Sequence, residues 1–242
     1  MLVGVGSAAA QIEEDLVDTR ENDWGMFSRL SMNPAIGGGL GAVGNRGFAR
    51  GALLARTAAA AGFQGYRFSI EWARCQPYDC DATSPSSPPP FDDDALRAYR
   101  SIVEAALENP TTKVHLTLFH YTTPAWFARR GGWLRQDAPL LFALYAEKVA
   151  QVFRKGLSPK NAHRVDFCTG NEMNVCAWGV VSARVPAAGV AFMHRAKYEQ
   201  LYGPMQDDDA LQRYENHLIL AHVLARQKIR RAYSSSDVSS SD

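Results

Sequence analysis

The sequence lacks a strong excess of either charge. Its 26 lysine and arginine residues nearly balance its 25 aspartate and glutamate residues, and the formal net charge is +1. A near-neutral chain has no general electrostatic attraction for nucleic acid or for an anionic membrane surface. We therefore expect neither nucleic acid nor a membrane as a partner.

Long apolar segments are missing as well. No run of about 18 apolar residues occurs, so the sequence gives no sign of a transmembrane helix. Met1 is followed by Leu2 and Val3, without the basic stretch that opens a secretory signal. These two absences predict a soluble, cytoplasmic protein.

Cysteine is scarce, and its spacing carries no metal motif. The four residues, Cys75, Cys80, Cys168 and Cys176, form no pair separated by two residues and no set with paired histidines. Structural zinc sites need such sets. We expect buried or half-buried free thiols, and neither a metal nor a cofactor.

The sequence does contain a regular alternation of apolar patterns. With 46% hydrophobic residues in 242 positions, the chain is long enough to bury a sizeable core. The predicted strands lie at 2–10, 65–72, 114–119 and 165–168, and the predicted helices at 48–61, 92–108, 140–154 and 208–233. This order predicts an α/β fold with a parallel sheet and right-handed crossovers.

Three long connections, at 84–90, 125–136 and 178–204, follow predicted strands. In barrel enzymes the connections at strand carboxyl ends form the binding loops. The final segment, 234–242, is mostly serine and aspartate and is predicted to be disordered. The predicted domain therefore spans 1–233.

An Asn-Glu pair marks the most informative of these strand ends. Asn171 and Glu172 come directly after the strand-like run that closes at Cys168. A glutamate at the carboxyl end of a parallel strand faces the cleft in which (β/α)8 enzymes build their sites. Glu172 is the leading catalytic candidate, and a solvated loop pair is the alternative.

Five motifs in order resemble those of glycoside hydrolase family 1, the β-glucosidase family. They are Gln11-Ile12-Glu13, Tyr66 to Trp72, Phe119 to Pro124, Gly131-Gly132-Trp133 and Thr169 to Asn174. The helix that contains Asn216 and His217 also resembles the one that follows the family's fourth strand. The resemblance covers about residues 2 to 233.

The resemblance implies a retaining β-glycosidase on a (β/α)8 TIM-barrel fold, with a β-linked sugar as substrate. Glu172 matches the acid/base of that chemistry, and Asn171 matches the residue that binds the sugar 2-hydroxyl. The chain supplies only about four β/α units, so the implied fold is an incomplete barrel.

Further site residues are carried over by the same motifs. Gln11 and His120 match positions that hold other sugar hydroxyls, and Arg67 matches an arginine beside the nucleophile. Tyr121 stands where the family usually has tryptophan, so it alters the wall of the sugar pocket. From the residues alone, Arg67 could instead satisfy buried carbonyls, His120 could be a core histidine, and Gln11 a satisfied polar group.

The tryptophans and Glu71 admit two interpretations each. Trp133 and Trp178 are candidates for stacking on a sugar ring, although packing is the commoner use of tryptophan. Glu71 could be assigned as a second catalytic carboxylate, but we interpret it as structural.

The chain lacks the family's nucleophile signature, because no Thr-Glu-Asn-Gly string occurs in it. A half-barrel also leaves open strand edges, so we expect a complementary C-terminal half or self-association. The chain is then expected to be either the acid/base half of a β-glycosidase, inactive alone, or a non-catalytic truncated remnant that binds sugar weakly or associates with another barrel half. A third hypothesis is an unrelated half-barrel in which Glu13 or Asp79 faces Glu172.

Overall fold

Four short parallel strands form one sheet in the computed structural model, which describes residues 3–14, 20–30, 46–77, 88–182 and 186–234. The strands are β1 (Gly4–Gly6), β2 (Gly65–Ser69), β3 (Lys113–Thr117) and β4 (Val165–Cys168), and they lie in that order across the sheet. All four predicted strands are confirmed, although three of them are shorter or begin elsewhere than predicted.

Helices follow each strand, as the alternation predicts. In chain order they are α1 (Ala9–Ile12), α2 (Asp23–Leu30), α3 (Gly51–Ala60), α4 (Trp72–Cys75), α5 (Asp93–Leu107), α6 (Ala125–Ala128), α7 (Ala138–Gly156), α8 (Pro159–Ala162), α9 (Met173–Trp178), α10 (Pro186–Tyr202) and α11 (Asp207–Ser234). The four predicted helices correspond to α3, α5, α7 and α11, with ends that differ by one to three residues.

The ends of the helices follow local chemistry. The Asp92 side chain accepts a hydrogen bond from the Ala95 amide and so caps α5, whose first turn also carries Asp93 and Asp94. Ser158 caps α8 in the same way. These caps satisfy amides that have no partner within the helix.

One predicted connection is wrong. The segment 178–204 is largely helical, since α10 occupies Pro186–Tyr202. Its apolar residues do not follow a clear helical period, so the sequence pattern gives no amphipathic signal. Good helix formers and a stop at Gly203-Pro204 nevertheless make it a helix. The connection 125–136 likewise holds α6 and a short 3₁₀ turn at Gly132–Leu134.

Some predicted features lie outside the described residues. They are Cys80, Asp79, residues 84–87 of one connection and residues 235–242 of the tail. Ser234, where the disordered tail was predicted to begin, is the last residue of α11.

Alternating side chains give the sheet two different faces. Phe68 and Leu116 are buried against the helices, in one core with Leu96 and Phe142. The opposite face is polar, because the register aligns Arg67 with His115 and His115 with Asp166. In a closed barrel this second face would point inward.

Close approach of two backbones requires a glycine at the first strand. A Cβ atom on Gly4 would lie 2.8 Å from the carbonyl oxygen of Gly65 on the neighbouring strand. Only glycine allows this approach, which sets β1 against β2.

Candidate active site

All but one of the predicted site residues lie beyond the carboxyl ends of the strands. Gln11 is in α1 after β1, His120 and Tyr121 follow β3, and Asn171 and Glu172 follow β4, whereas Arg67 is the central residue of β2. Since the strands are parallel, their carboxyl ends form one edge of the sheet. These side chains therefore lie on or near one edge of the sheet, which we call the rim.

Arg67 connects three strands on the inner face of the sheet. Its Nε donates to Thr117 Oγ1 on β3 over 3.1 Å, and its Nη2 donates to Asn171 Oδ1 over 2.7 Å. The Asn171 amide in turn donates to the Phe119 carbonyl over 2.9 Å. Asn171 is thereby fixed at both its backbone and its side chain, and its Nδ2 is left to donate to a ligand.

Tyr121 and Glu172 form a second linked pair. The Tyr121 hydroxyl donates to Glu172 Oε2. Both residues have positive φ, 71° for Tyr121 and 45° for Glu172, although neither is glycine. Left-handed backbone at non-glycine residues is uncommon, and it is concentrated at functional sites. The Tyr121 ring is further held by the stacked indole of Trp24, with ring centroids 6.0 Å apart.

His120 lies beside these pairs and keeps a free ring nitrogen. Its Nδ1 is buried and has no hydrogen-bond partner among the described residues. Burial, assisted by the charge of Arg67, lowers the pKa of His120 below its ordinary value of 6.5. The ring is therefore neutral at pH 7 and has one donor and one acceptor to offer a hydroxyl group.

Gln11 is the member least tied to the others. It lies near the end of α1 with an exposed side chain. Its position beyond β1 brings it to the same rim, where it is accessible to a ligand.

Four of the tryptophans divide into two groups by their exposure. Trp72, Trp126 and Trp133 are fully buried, and Trp133 packs against Phe119 with ring centroids 5.2 Å apart. The stacking hypothesis for Trp133 is therefore wrong, because its faces are covered by core side chains. Trp178, at 46% exposure, keeps an accessible face.

A layer of buried acids, which the sequence analysis does not predict, lies behind the rim. Glu13 forms an ion pair with Arg74, 3.0 Å from its Nε, and accepts from Tyr99 Oη at 2.7 and 2.8 Å. This pairing occupies the Glu13 carboxylate and removes it from the role of partner to Glu172. In the sequence, the available sign of a buried acid was Arg74, a positively charged residue two positions after Trp72.

Glu71 is the second member of this layer and has a structural setting, as interpreted from the sequence. Its carboxylate caps α4 through the Ala73 amide and accepts from Thr122 Oγ1 at 2.9 Å. Burial and the nearby Glu13 raise the pKa of Glu71 to about 7, and burial raises that of Glu13 to about 7 as well. Arg74 offsets part of this burial effect at Glu13 and favours its ionised form.

A third buried acid fixes the segment after β3. Asp23 accepts from the Thr123 amide at 2.9 Å and from the Thr123 hydroxyl at 2.5 Å. His194 of α10 lies 3.1 Å from the same carboxylate. This network ties α10 to the loop that carries His120 and Tyr121.

Among the residues that the structure describes, no three histidine, cysteine, aspartate or glutamate residues are grouped to hold a metal ion. Cys75 and Cys176 are buried and Cys168 is half-buried, which confirms the predicted thiol environment for these three. No helix in the described ranges has the length and apolar content needed to cross a membrane.

Comparison with known proteins finds that this chain is similar to β-glucosidases. The chain is 32% identical over 143 residues to the thermostable β-glucosidase B of Thermobispora bispora, an alignment that covers 59% of this chain and 28% of that protein. Among solved structures, the AHE enzyme of Alicyclobacillus herbarius matches with a TM-score of 0.70 and 26% identity, over 96% of this chain and 45% of that one.

A β-glucosidase from Thermotoga maritima, solved in complex with cyclophellitol, has the same fold with a TM-score of 0.73 and 23% identity. The match covers 96% of this chain and 46% of that structure. The chain thus spans under half of these two structures, and its fold is an incomplete (β/α)8 barrel of four β/α units. The family model described as Glycosyl hydrolase family 1 matches residues 2–241, and the chain belongs to that family of glycoside hydrolases.

Proposed function

We propose that this chain supplies the acid/base side of a retaining β-glycosidase that hydrolyses β-linked glycosides, with Glu172 as the acid/base. The observation that carries the proposal is the Asn171-Glu172 pair beyond β4, in which Asn171 is fixed by Arg67 over 2.7 Å. A carboxyl group and an oriented amide are the two groups that must face the scissile bond and the 2-hydroxyl.

The chemistry takes place in two steps. Glu172 gives its proton to the glycosidic oxygen while a second carboxylate attacks the anomeric carbon, so that the leaving group departs and a glycosyl ester forms. Glu172 then takes a proton from water, which attacks the same carbon and releases the sugar. Asn171 Nδ2 donates to the 2-hydroxyl, a contact that strengthens in the transition state.

The remaining rim residues bind the sugar. His120 and Gln11 hold further hydroxyl groups of the ring, and Tyr121 forms part of the pocket wall. Arg67 lies where its charge keeps an adjacent nucleophilic carboxylate ionised. The 242 residues contain no Thr-Glu-Asn-Gly string, so the nucleophile comes from outside this stretch of sequence.

The partner for this chemistry is a complementary barrel half that pairs with β4. This strand is at the edge of the described sheet, and an edge strand presents unpaired amides and carbonyls. A cleft of about 840 Å³ opens along it, lined by Phe167, Met173, Ile229 and Tyr233 among others. Closure of the barrel by that half would also enclose the polar inner face.

The test is hydrolysis of aryl β-glucosides by the chain alone and after mixing with the C-terminal half of a related barrel. We expect activity only on mixing. Glu172→Gln should slow the phenyl glucoside by about a thousandfold and the dinitrophenyl glucoside by less than about tenfold, because only the poorer leaving group needs the proton. Glu215→Gln, an exposed carboxyl on α11, is the matched control.

Two outcomes would contradict the proposal. Equal slowing of both substrates by Glu172→Gln would remove the acid/base assignment. No hydrolysis in any mixture, with the chain folded, would favour a chain that binds sugar without catalysing its release.

A further inference from the structure

A cleft of about 900 Å³ lies between the end of α10 and the first half of α11. Its walls run from Tyr198 to Gln206 and from Asp209 to His217, and Gln136 closes it from the side of α7. None of the six rim residues discussed above lines it. Its volume lies in the range that encloses a small organic ligand.

An aromatic pair dominates this cleft. The rings of Tyr198 and Tyr202 are 4.8 Å apart and inclined by 42°. The Arg213 guanidinium lies 5.7 Å from the centre of the Tyr198 ring and donates to its hydroxyl over 3.2 Å. Tyr198 is thereby held in place, while Tyr202 remains 61% exposed. A large exposed ring beside a fixed one is a surface on which a flat apolar face can stack.

The cleft continues past this pair. A neighbouring cleft of about 530 Å³ shares Gln136, Tyr198, Tyr202 and Arg213 with it and extends to Leu140 on α7. The two tyrosines therefore border both spaces. A ligand longer than one ring has room on either side of them.

The polar lining is uncharged for the most part. Four carboxamides face the larger cleft, those of Gln136, Gln206, Gln212 and Asn216. Each carboxamide offers a donor and an acceptor, which suits pairs of adjacent hydroxyl groups.

The charges in the cleft cancel. Asp209 and Arg213 carry opposite charges. Burial lowers the pKa of His217 below 6.5, so this side chain is neutral at pH 7. A lining with no net charge gives no preference for phosphate or sulfate groups.

The first half of α11, which lines the cleft, lies toward the carboxyl end of β4. Thr169, just after β4, lies 2.6 Å from His222, while Phe167, earlier in the strand, contacts Tyr233. The α11 residues that precede His222 therefore lie progressively farther beyond the carboxyl end of β4. Residues 212–217 precede His222 by five to ten positions, or about 8 to 15 Å of helix.

From this geometry we propose that the cleft at Tyr198, Tyr202 and Arg213 is a second glycan-binding site, which holds a neutral, β-linked glucose oligosaccharide. Tyr202 stacks on a pyranose ring, and the carboxamides of Gln212 and Asn216 bind its hydroxyls. The choice of glucose units rests on the proposed function. The stacking surface and the neutral lining do not depend on it.

The test is titration of cellotetraose into the full chain. Binding is monitored by calorimetry and by chemical-shift changes of ¹⁵N-labelled backbone amides in NMR spectra. We expect binding with shifts centred on 198–217. Tyr202→Ala should weaken it about tenfold, since a ring stack is lost, whereas Tyr202→Phe should retain it. Phe192→Ala, which removes a ring that is 47% exposed on the same helix but outside the cleft, is the matched control and should leave affinity unchanged.

Several results would overturn the proposal. They are no measurable binding by the unaltered chain, equal affinity in Tyr202→Ala, or binding of a sulfated oligosaccharide in preference to the neutral one. Glu172→Gln separates the two proposals, because it should abolish general acid catalysis in the mixed halves and leave cellotetraose shifts at 198–217 intact. Far-UV circular dichroism confirms that each variant is folded.

Discussion

Arg67 of β2 and Asn171, three residues beyond β4, are joined by a 2.7 Å hydrogen bond although β2 and β4 are not neighbours in the sheet. The bond passes over β3, where Thr117 accepts from the same guanidinium at 3.1 Å. One planar side chain thus sets the position of the amide beside Glu172. Only arginine has the several donors in one plane that this geometry uses.

Replacing Arg67 with lysine should therefore impair the assembled enzyme even though the charge is kept. A charge-assisted hydrogen bond contributes about 1.5 to 3 kcal/mol, so kcat/KM should fall about tenfold to a hundredfold. The measurement is steady-state hydrolysis of an aryl β-glucoside by the mixed halves. Arg56→Lys, an exposed arginine paired with Glu108, should have no effect, and an unimpaired Arg67→Lys enzyme would contradict the role of the bond.

Tyr121→Phe should lower activity by removing the hydroxyl that donates to Glu172. The ring remains and keeps its stack on Trp24, so the pocket wall is preserved. We expect about a tenfold loss of kcat/KM, greater for phenyl than for dinitrophenyl glucoside, because the proton donor loses its orientation.

The control for this variant is Tyr145→Phe. It removes a buried hydroxyl that donates to the Ile70 carbonyl over 3.3 Å and contacts none of the site residues. Unchanged kinetics in Tyr121→Phe, or equal losses for the two leaving groups, would show that the hydroxyl does not position Glu172.

The buried carboxyls predict a pH-dependent stability. Burial raises the pKa of Glu71 to about 7 in the folded chain, against an ordinary value of 4.5. Between these two values the folded state holds more protons than the unfolded state, so the free energy of unfolding falls as the pH rises. The contribution is fully present below pH 4.5 and is lost by about pH 7, with a magnitude on the order of 3 kcal/mol.

Glu71→Gln should flatten this dependence, because an amide keeps most of the polar contacts and does not titrate. Urea unfolding across the window, for the variant and for the unaltered chain, measures the difference between the slopes. Glu108→Gln, an exposed carboxyl in a surface ion pair, should leave the slope unchanged. An unaltered slope in Glu71→Gln would mean that this residue is ionised in the folded chain.

Gly132→Ala should destabilise the chain strongly. Gly132 has φ of 54°, and a Cβ atom there would overlap the imidazole of His194, which is fixed against Asp23. Gly62 has φ of 84° with nothing within 4 Å of its Cβ position. We expect a loss of about 1 kcal/mol for Gly62→Ala from backbone strain alone, and of about 3 kcal/mol for Gly132→Ala.

Chemical denaturation gives both values, and their difference isolates the steric overlap from the strain that the two glycines share. Similar losses in the two variants would indicate that the His194 ring moves aside at little cost.

Much of this protein was determined by its sequence alone. The four strands, the helices α3, α5, α7 and α11 and the parallel order follow from local periodicity, which depends on residues close together in the chain. The Asn171-Glu172 pair and Arg67 could be found because the resemblance rests on short contiguous motifs. Their position near the same edge of the sheet follows from the parallel topology.

The tertiary structure decided what depends on residues far apart in the chain. Trp133 and Trp178 are alike as residues, but one is enclosed by distant aromatic side chains and the other is exposed. The helix α10 forms without a regular apolar period and is anchored through His194 to Asp23, 171 positions away. The raised pKa of Glu71 likewise arises from burial and from Glu13, and such environments are set only when the chain has folded.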